Sequence, residues 1–196
     1  MIRASIATAA FLLFGASQSA MAQAAPAPEL IAKCNNCHGG AGGNKAVAPI
    51  LNGLSADYLV ARMNAFSKSF SQSPHAIENM WPVIANMDPA AKRELAEYFA
   101  NIAVPATRLN SASLGKDLYE QDVPAQGLAS CQSCHGAEAQ GQGAIPRLAG
   151  QRPEYLASQL WAFKLAVRIH GPMNTRAMKF SATEIDALAN YLAGRS

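Results

Sequence analysis

The sequence predicts an all-α protein built as two tandem copies of one small domain. Three observations carry this. Apolar residues recur at helical spacing, and no convincing alternating strand pattern appears anywhere. The chain aligns with itself at an offset of 97, where Pro49 meets Pro146, Leu51 meets Leu148, Gly53 meets Gly150, Tyr58 meets Tyr155 and Phe66 meets Phe163. All four cysteines fall in two copies of one pattern, Cys34-Asn35-Asn36-Cys37-His38 and Cys131-Gln132-Ser133-Cys134-His135.

The first residues belong to neither copy. Met1-Ile2-Arg3 is a short positive region, Ile6 to Gly15 is apolar and uncharged, and Ala20-Met21-Ala22 is a cleavage signal. This predicts a secretory signal peptide over residues 1–22, cut after Ala22, and export to the periplasm. The apolar stretch is short for a bilayer span. We expect a first domain over 23–102, a linker over 103–111 and a second domain over 112–196.

In the first copy, Pro26-Ala27-Pro28 precedes a short helix carrying Leu30, Ile31, Cys34 and Cys37. The glycine-rich run 39–43 follows no strand and has no Lys-Ser/Thr after it, so it reads as a loop and not a phosphate cradle. Ser55 to Phe66 puts Leu59, Met63 and Phe66 on one helical face. Ser67 to Asn79, with four residues more than the second copy, reads as a polar loop. Asp88-Pro89 starts a last helix whose face is Leu95, Tyr98, Phe99 and Ile102. The second copy repeats the plan: a helix over Ser113 to Glu120, a short one bearing Cys131 and Cys134, one over Pro153 to Val167, and one after the capping box Ser181-Ala182-Thr183-Glu184.

C-x-x-C-H attaches a c-type haem: two thiols one helical turn apart bond the porphyrin, and the adjacent histidine ligates the iron. A redox dithiol would not need a histidine after each second cysteine, and a structural zinc site would need both halves folded onto one metal with ligands to spare. The chemistry therefore turns on the sixth ligands. Past the insertion the offset becomes 93, and Met80 then aligns with Met173, each eighteen residues before a matched tyrosine, Tyr98 or Tyr191. Both are expected on loops past the middle helix. Histidine with methionine gives an electron-transfer haem of raised potential. Met63, Met87 and Met178 do not recur as methionines. His75 and His170 are rival ligands, but they occupy inequivalent positions. The net charge of +3 falls by one with Arg3 and further with the haem propionates, so it is no signal for nucleic acid.

At these residues the chain resembles the dihaem class I cytochromes c of the cytochrome c4 type. The second copy carries most of the resemblance, in Gly141-x-Gly143, Ile145-Pro146-Arg147-Leu148-Ala149-Gly150-Gln151, Tyr155-Leu156 and Gln159-Leu160. The resemblance implies two class I cytochrome c folds with pseudo-twofold packing and propionates near the seam. It implies His38 and Met80 on one iron, and His135 and Met173 on the other. It implies that the carbonyls of Pro49 and Pro146 hold the histidine rings, and that Arg147 meets a propionate. The first copy has Ile50 at that position, so the two haem surroundings should differ. The implied activity is electron transfer, from a quinol-oxidising complex or a dehydrogenase to a terminal oxidase, with peripheral membrane association possible. The alternatives are the cytochrome subunit of a flavocytochrome sulfide dehydrogenase or of a quinoprotein dehydrogenase, and a dihaem peroxidase.

Overall fold

The computed structural model describes residues 26–39, 47–68, 74–104, 113–122 and 127–195. The expected signal segment, the glycine run beyond Gly39 and most of the expected linker lie outside the described residues. Among those described, the chain is helical, and its one ladder contact is an isolated bridge between Gln142 and Ile145.

The first half contributes α1 (Pro28–His38), α2 (Ala56–Ser67), α3 (Pro74–Ile84) and α4 (Pro89–Ala100). The second contributes α5 (Ser113–Glu120), α6 (Gln132–His135), α7 (Pro153–Lys164), α8 (Gly171–Ala177) and α9 (Ala182–Ala193). Local chemistry sets many of the ends. Ser55 caps α2 by accepting from the Tyr58 amide at 3.2 Å, and Asp88 caps α4 by accepting from the Ala90 amide at 2.7 Å. Ser181 and Glu184 form a reciprocal capping box at α9. The buried Lys92 donates from Nζ to Ser67 Oγ at 3.1 Å, placing a cation at the C-terminal end of α2, where the helix dipole favours it.

Each half has its own core. Leu54, Tyr58, Leu59, Leu95, Ala96 and Phe99 fill the first, with Leu30, Ile31 and Cys34 packed against them. Tyr119, Leu156, Leu160, Ile185, Leu188 and Leu192 fill the second. There α5 crosses α9 at Gly115. A Cβ at that position would stand 2.3 Å from the Ala187 carbonyl oxygen and 2.6 Å from Tyr191 Cβ. Gly115→Val is therefore expected to destabilise the second half by about 1–3 kcal/mol, the usual range for overpacking. Thermal unfolding of the holoprotein, followed by circular dichroism, measures it; an unchanged midpoint would contradict the close crossing.

Three expectations need correction. Residues 74–79 are not part of a loop: α3 begins at Pro74, whose missing N–H is harmless in a first turn. Pro82 lies within the last turn, where it removes only one bond of the ladder. Met80 and Met173 thus stand on helices α3 and α8, not on loops. The helix expected through Val167 ends at Lys164, because Ala166 turns left-handed at φ 54°. The Val167 and Arg168 amides then both donate to the Ala162 carbonyl at 2.9 Å, closing the helix end. Glycine is the usual signal for that turn, and an alanine hides it.

The halves meet through equivalent segments, 48–55 of one and 143–152 of the other. The Gly53 amide donates to the Phe99 carbonyl at 2.9 Å, and its counterpart Gly150 donates to Leu192 at 3.0 Å. Contact of the same patch with itself is the mark of a twofold relation, here between copies in one chain.

Candidate haem sites

The first site grows out of α1, which presents Cys34, Cys37 and His38. The His38 ring is buried, and its Nδ1 lies 2.9 Å from the Pro49 carbonyl oxygen. Burial pushes its pKa below the ordinary imidazole value; the Pro49 bond opposes this, and the Arg152 cation adds to it. A neutral imidazole that donates from Nδ1 leaves Nε2 free to ligate a metal. Cys34, Cys37, His38 and Met80 all line one largely apolar cavity of about 380 Å³. Met63 and Met87 line it too, so geometry alone leaves three methionine sulfurs within this chamber. One wall is lent by the other copy, through Tyr155, Gln159 and Arg168.

The second site has the same frame. His135 is buried, with Nδ1 2.9 Å from the Pro146 carbonyl oxygen. Burial lowers its pKa first, the Pro146 bond opposes this, and nearby His170 lowers it further. Cys131 and Met173 pack against the same apolar cluster. The hydroxyl of Tyr119, fully buried, donates to the Gly136 carbonyl at 2.5 Å and pins the end of the cysteine-histidine turn. Gly141, at φ 74°, brings the following loop back beneath the histidine; its amide donates to His135 at 2.8 Å, and a Cβ there would lie 2.4 Å from the Arg147 nitrogen. Of the rival ligands, His170 is exposed and stands at the N-cap position of α8 without a side-chain capping bond, while the side chain of His75 lies outside the described residues.

Several residues around the sites have roles that no sequence motif announces. Asn174 donates from Nδ2 to the Phe163 and Arg168 carbonyls at 2.7 Å and accepts from the His170 amide at 2.6 Å. It ties the turn before Met173 to the end of α7. Gln151, 2% exposed, accepts from the Ile50 amide at 2.7 Å and donates to the Ile50 carbonyl at 3.0 Å. Arg152 donates to the Ala48 carbonyl at 2.9 Å and the Gly39 carbonyl at 2.6 Å. The repeat does hold a signal for Arg152. Its twin is the capping Ser55, and an arginine at a helix N-cap forgoes about 1 kcal/mol of capping.

Arg147 decides whether a haem fits the seam. Its side chain is buried and reaches across to the first half, where Nη2 donates to the Asn52 carbonyl at 2.9 Å. Its Nε and Nη1 are buried with no partner among the described residues. Orphaned donors on a buried cation call for an acceptor that the described residues do not supply there, and an anionic carboxylate fits that need. The apolar cavity of the first site, the two buried histidines and this buried cation match the faces of a haem and its propionate edge.

Twin helical frames, each with a cysteine pair and a carbonyl-held histidine, define two cytochrome c folds in one chain. The family model described as Cytochrome c matches residues 112–196. Cytochrome c-552 of Acidithiobacillus ferridurans is 32% identical over 195 residues, covering 95% of this chain and 84% of that relative. Cytochrome c4 of Thiocapsa roseopersicina is 30% identical over 172 residues, covering 83% and 87%. A thiosulfate dehydrogenase electron acceptor of Thiomonas intermedia is 30% identical over 188 residues, covering 90% and 85%. The solved cytochrome c4 of Acidithiobacillus ferrooxidans superposes with a TM-score of 0.77 at 31% identity, covering 83% of this chain and 98% of that one. The chain belongs to the cytochrome c4 family of dihaem electron-transfer cytochromes. It carries two covalently bound haem c groups and acts as an electron carrier with redox protein partners.

Proposed function

We propose that this is an exported carrier whose two haems are held through Cys34 and Cys37, and through Cys131 and Cys134. His38 and Met80 ligate one iron; His135 and Met173 ligate the other. The observation that carries this reading is the matched pair of His38–Pro49 and His135–Pro146 contacts, both at 2.9 Å. Each carbonyl fixes its imidazole tautomer and raises its basicity toward the iron. The haem supplies the ferrous–ferric couple; the chain excludes water, holds the ligands and sets the potential. Arg147 compensates propionate charge at the seam, where its guanidinium N–H groups without a partner among the described residues are buried.

In this reading residues 1–22 direct export to the periplasm and are removed, 23–102 and 112–196 are the two haem domains, and 103–111 joins them. Among the described residues no helix is long and apolar enough to cross a membrane. The donor is a quinol-oxidising complex or a dehydrogenase, and the acceptor is a terminal oxidase. The likeness to a thiosulfate dehydrogenase electron acceptor favours a dehydrogenase donor. The intact mass of the secreted holoprotein is expected to equal residues 23–196 plus two haems. Stopped-flow mixing of the ferrous protein with oxidase-containing membranes is expected to oxidise both haems within one turnover series. Oxidation of neither haem, with rapid reduction of both by a thiosulfate-oxidising dehydrogenase, would remove the oxidase as partner and retain the acceptor role.

A further inference from the structure

The histidine of the first haem motif is braced from outside its own domain. Arg152 of the second copy sends its guanidinium into the first. Nη2 donates to the Gly39 carbonyl at 2.6 Å, and Nη1 to Ala48 at 2.9 Å, with Cys37 a longer contact at 3.5 Å. Those carbonyls flank His38 on both sides in sequence and precede Pro49. Gln151 takes both backbone groups of Ile50, the residue after Pro49. The Pro49 carbonyl that meets His38 is therefore bracketed by Arg152 before it and Gln151 behind it.

The arrangement is not reciprocal. At the offset of 97, Gln151 corresponds to Leu54 and Arg152 to Ser55. Leu54 is buried in its own core. Ser55 caps its own helix, and its hydroxyl donates to the Gly143 carbonyl across the seam. It brings no charge to the second haem motif. Arg152 makes no capping bond to α7. The position has exchanged a local helix-capping role for a cationic fork at the other domain's haem.

We propose that Arg152 is a positioning residue for the first haem, orienting the proximal histidine through the 37–39 and 48–50 segments and raising that haem's potential by its charge. The inference rests on the assignment of His38 and Met80 to the first iron. A fixed cation near the iron disfavours the ferric state, which carries one more positive charge. Because the guanidinium is lodged among carbonyls and partly buried, salt screens it weakly. Ser55 carries no charge across to the second motif, where the buried cation beside Cys131 is Arg176 of the same copy; Arg152 therefore acts on the first haem alone.

The test is an optical redox titration of the holoprotein and of Arg152→Gln and Arg152→Lys. Arg152→Gln is expected to lower one midpoint by about tenfold in the oxidation equilibrium, ~59 mV for one electron. The other midpoint serves as an internal reference and stays in place. Arg152→Lys keeps the charge without the fork and is expected to restore most of the shift. Met80→Ala, titrated in parallel, identifies the first haem, and the same midpoint must move in both variants. The proposal is overturned if Arg152→Gln moves neither midpoint, moves both equally, or moves the midpoint that Met173→Ala moves. The ligand assignment fails on a separate result: His38→Ala leaving both haems six-coordinate and low-spin.

Discussion

Met80→Ala is expected to remove half of the far-red sulfur-to-iron charge-transfer band of the ferric protein, and Met173→Ala the other half. Each substitution should also lower the potential of its own haem on the order of 0.1 V, since a thioether favours ferrous iron and axial ligation spans about 0.8 V across haem proteins. The effect is large because nothing else nearby is equivalent. At the first site Met63 and Met87 share the cavity with Met80, yet they stand on α2 and in the turn beyond α3, without a repeated partner in the second copy. At the second, Met173 lies at the start of α8, where its amide donates to the His170 carbonyl at 2.8 Å. Asn174 holds the same turn. Near-infrared absorption of the two single variants checks the assignment. A band that survives both changes would transfer ligation to another sulfur, and an unchanged band in Met80→Ala alone would point to Met63 or Met87.

Arg147→Met is expected to make a haem potential depend on pH where the parent's is flat. Burial alone pushes the Arg147 guanidinium down to about 10, so it is a cation throughout the physiological range. A propionate paired with it would be held ionised well below neutral pH, leaving the potential no proton to follow from that group between about pH 5 and 9. Without it, the same desolvated carboxylate rises above the ordinary carboxylate pKa of about 4. The ferric iron keeps that pKa lower than the ferrous iron does. As pH rises between the two values, oxidation releases a proton and the midpoint falls by up to ~59 mV per pH unit; outside them it is flat. Methionine keeps the side-chain length and apolar packing while removing the charge. Spectroelectrochemistry from pH 5 to 9 is the measurement. A flat profile in the variant would mean that no propionate depends on Arg147.

Much of the architecture is legible without coordinates, because it is written locally. Ser181 with Glu184, Asp88 with Pro89 and Pro153 at a first turn each mark a helix start by chemistry within four residues. The cysteine-histidine pairs mark the haem sites, and the repeat gives the number of domains. What stays hidden is written non-locally or against type. Pro74 and Pro82 make α3 look like a loop, although one sits where a proline is harmless and the other near the end. Ala166 ends α7 in a conformation usually left to glycine. Gln151 and Arg152 act on residues about a hundred positions away, and only comparison with Leu54 and Ser55 shows that they depart from the repeat. The seam between copies, where the haem surroundings become unequal, is the part that sequence periodicity does not reach.

The central claim is that one chain holds two six-coordinate, histidine–methionine haems that exchange electrons with partners without binding substrate. A potentiometric titration of the wild-type optical spectrum, with the far-red band recorded in the ferric state, tests it most directly. The account predicts two one-electron steps at unequal midpoints, two haems per chain, and a band whose amplitude corresponds to two iron–sulfur bonds. A single step from one haem, or a high-spin ferric signal with a band of half that amplitude, would contradict it.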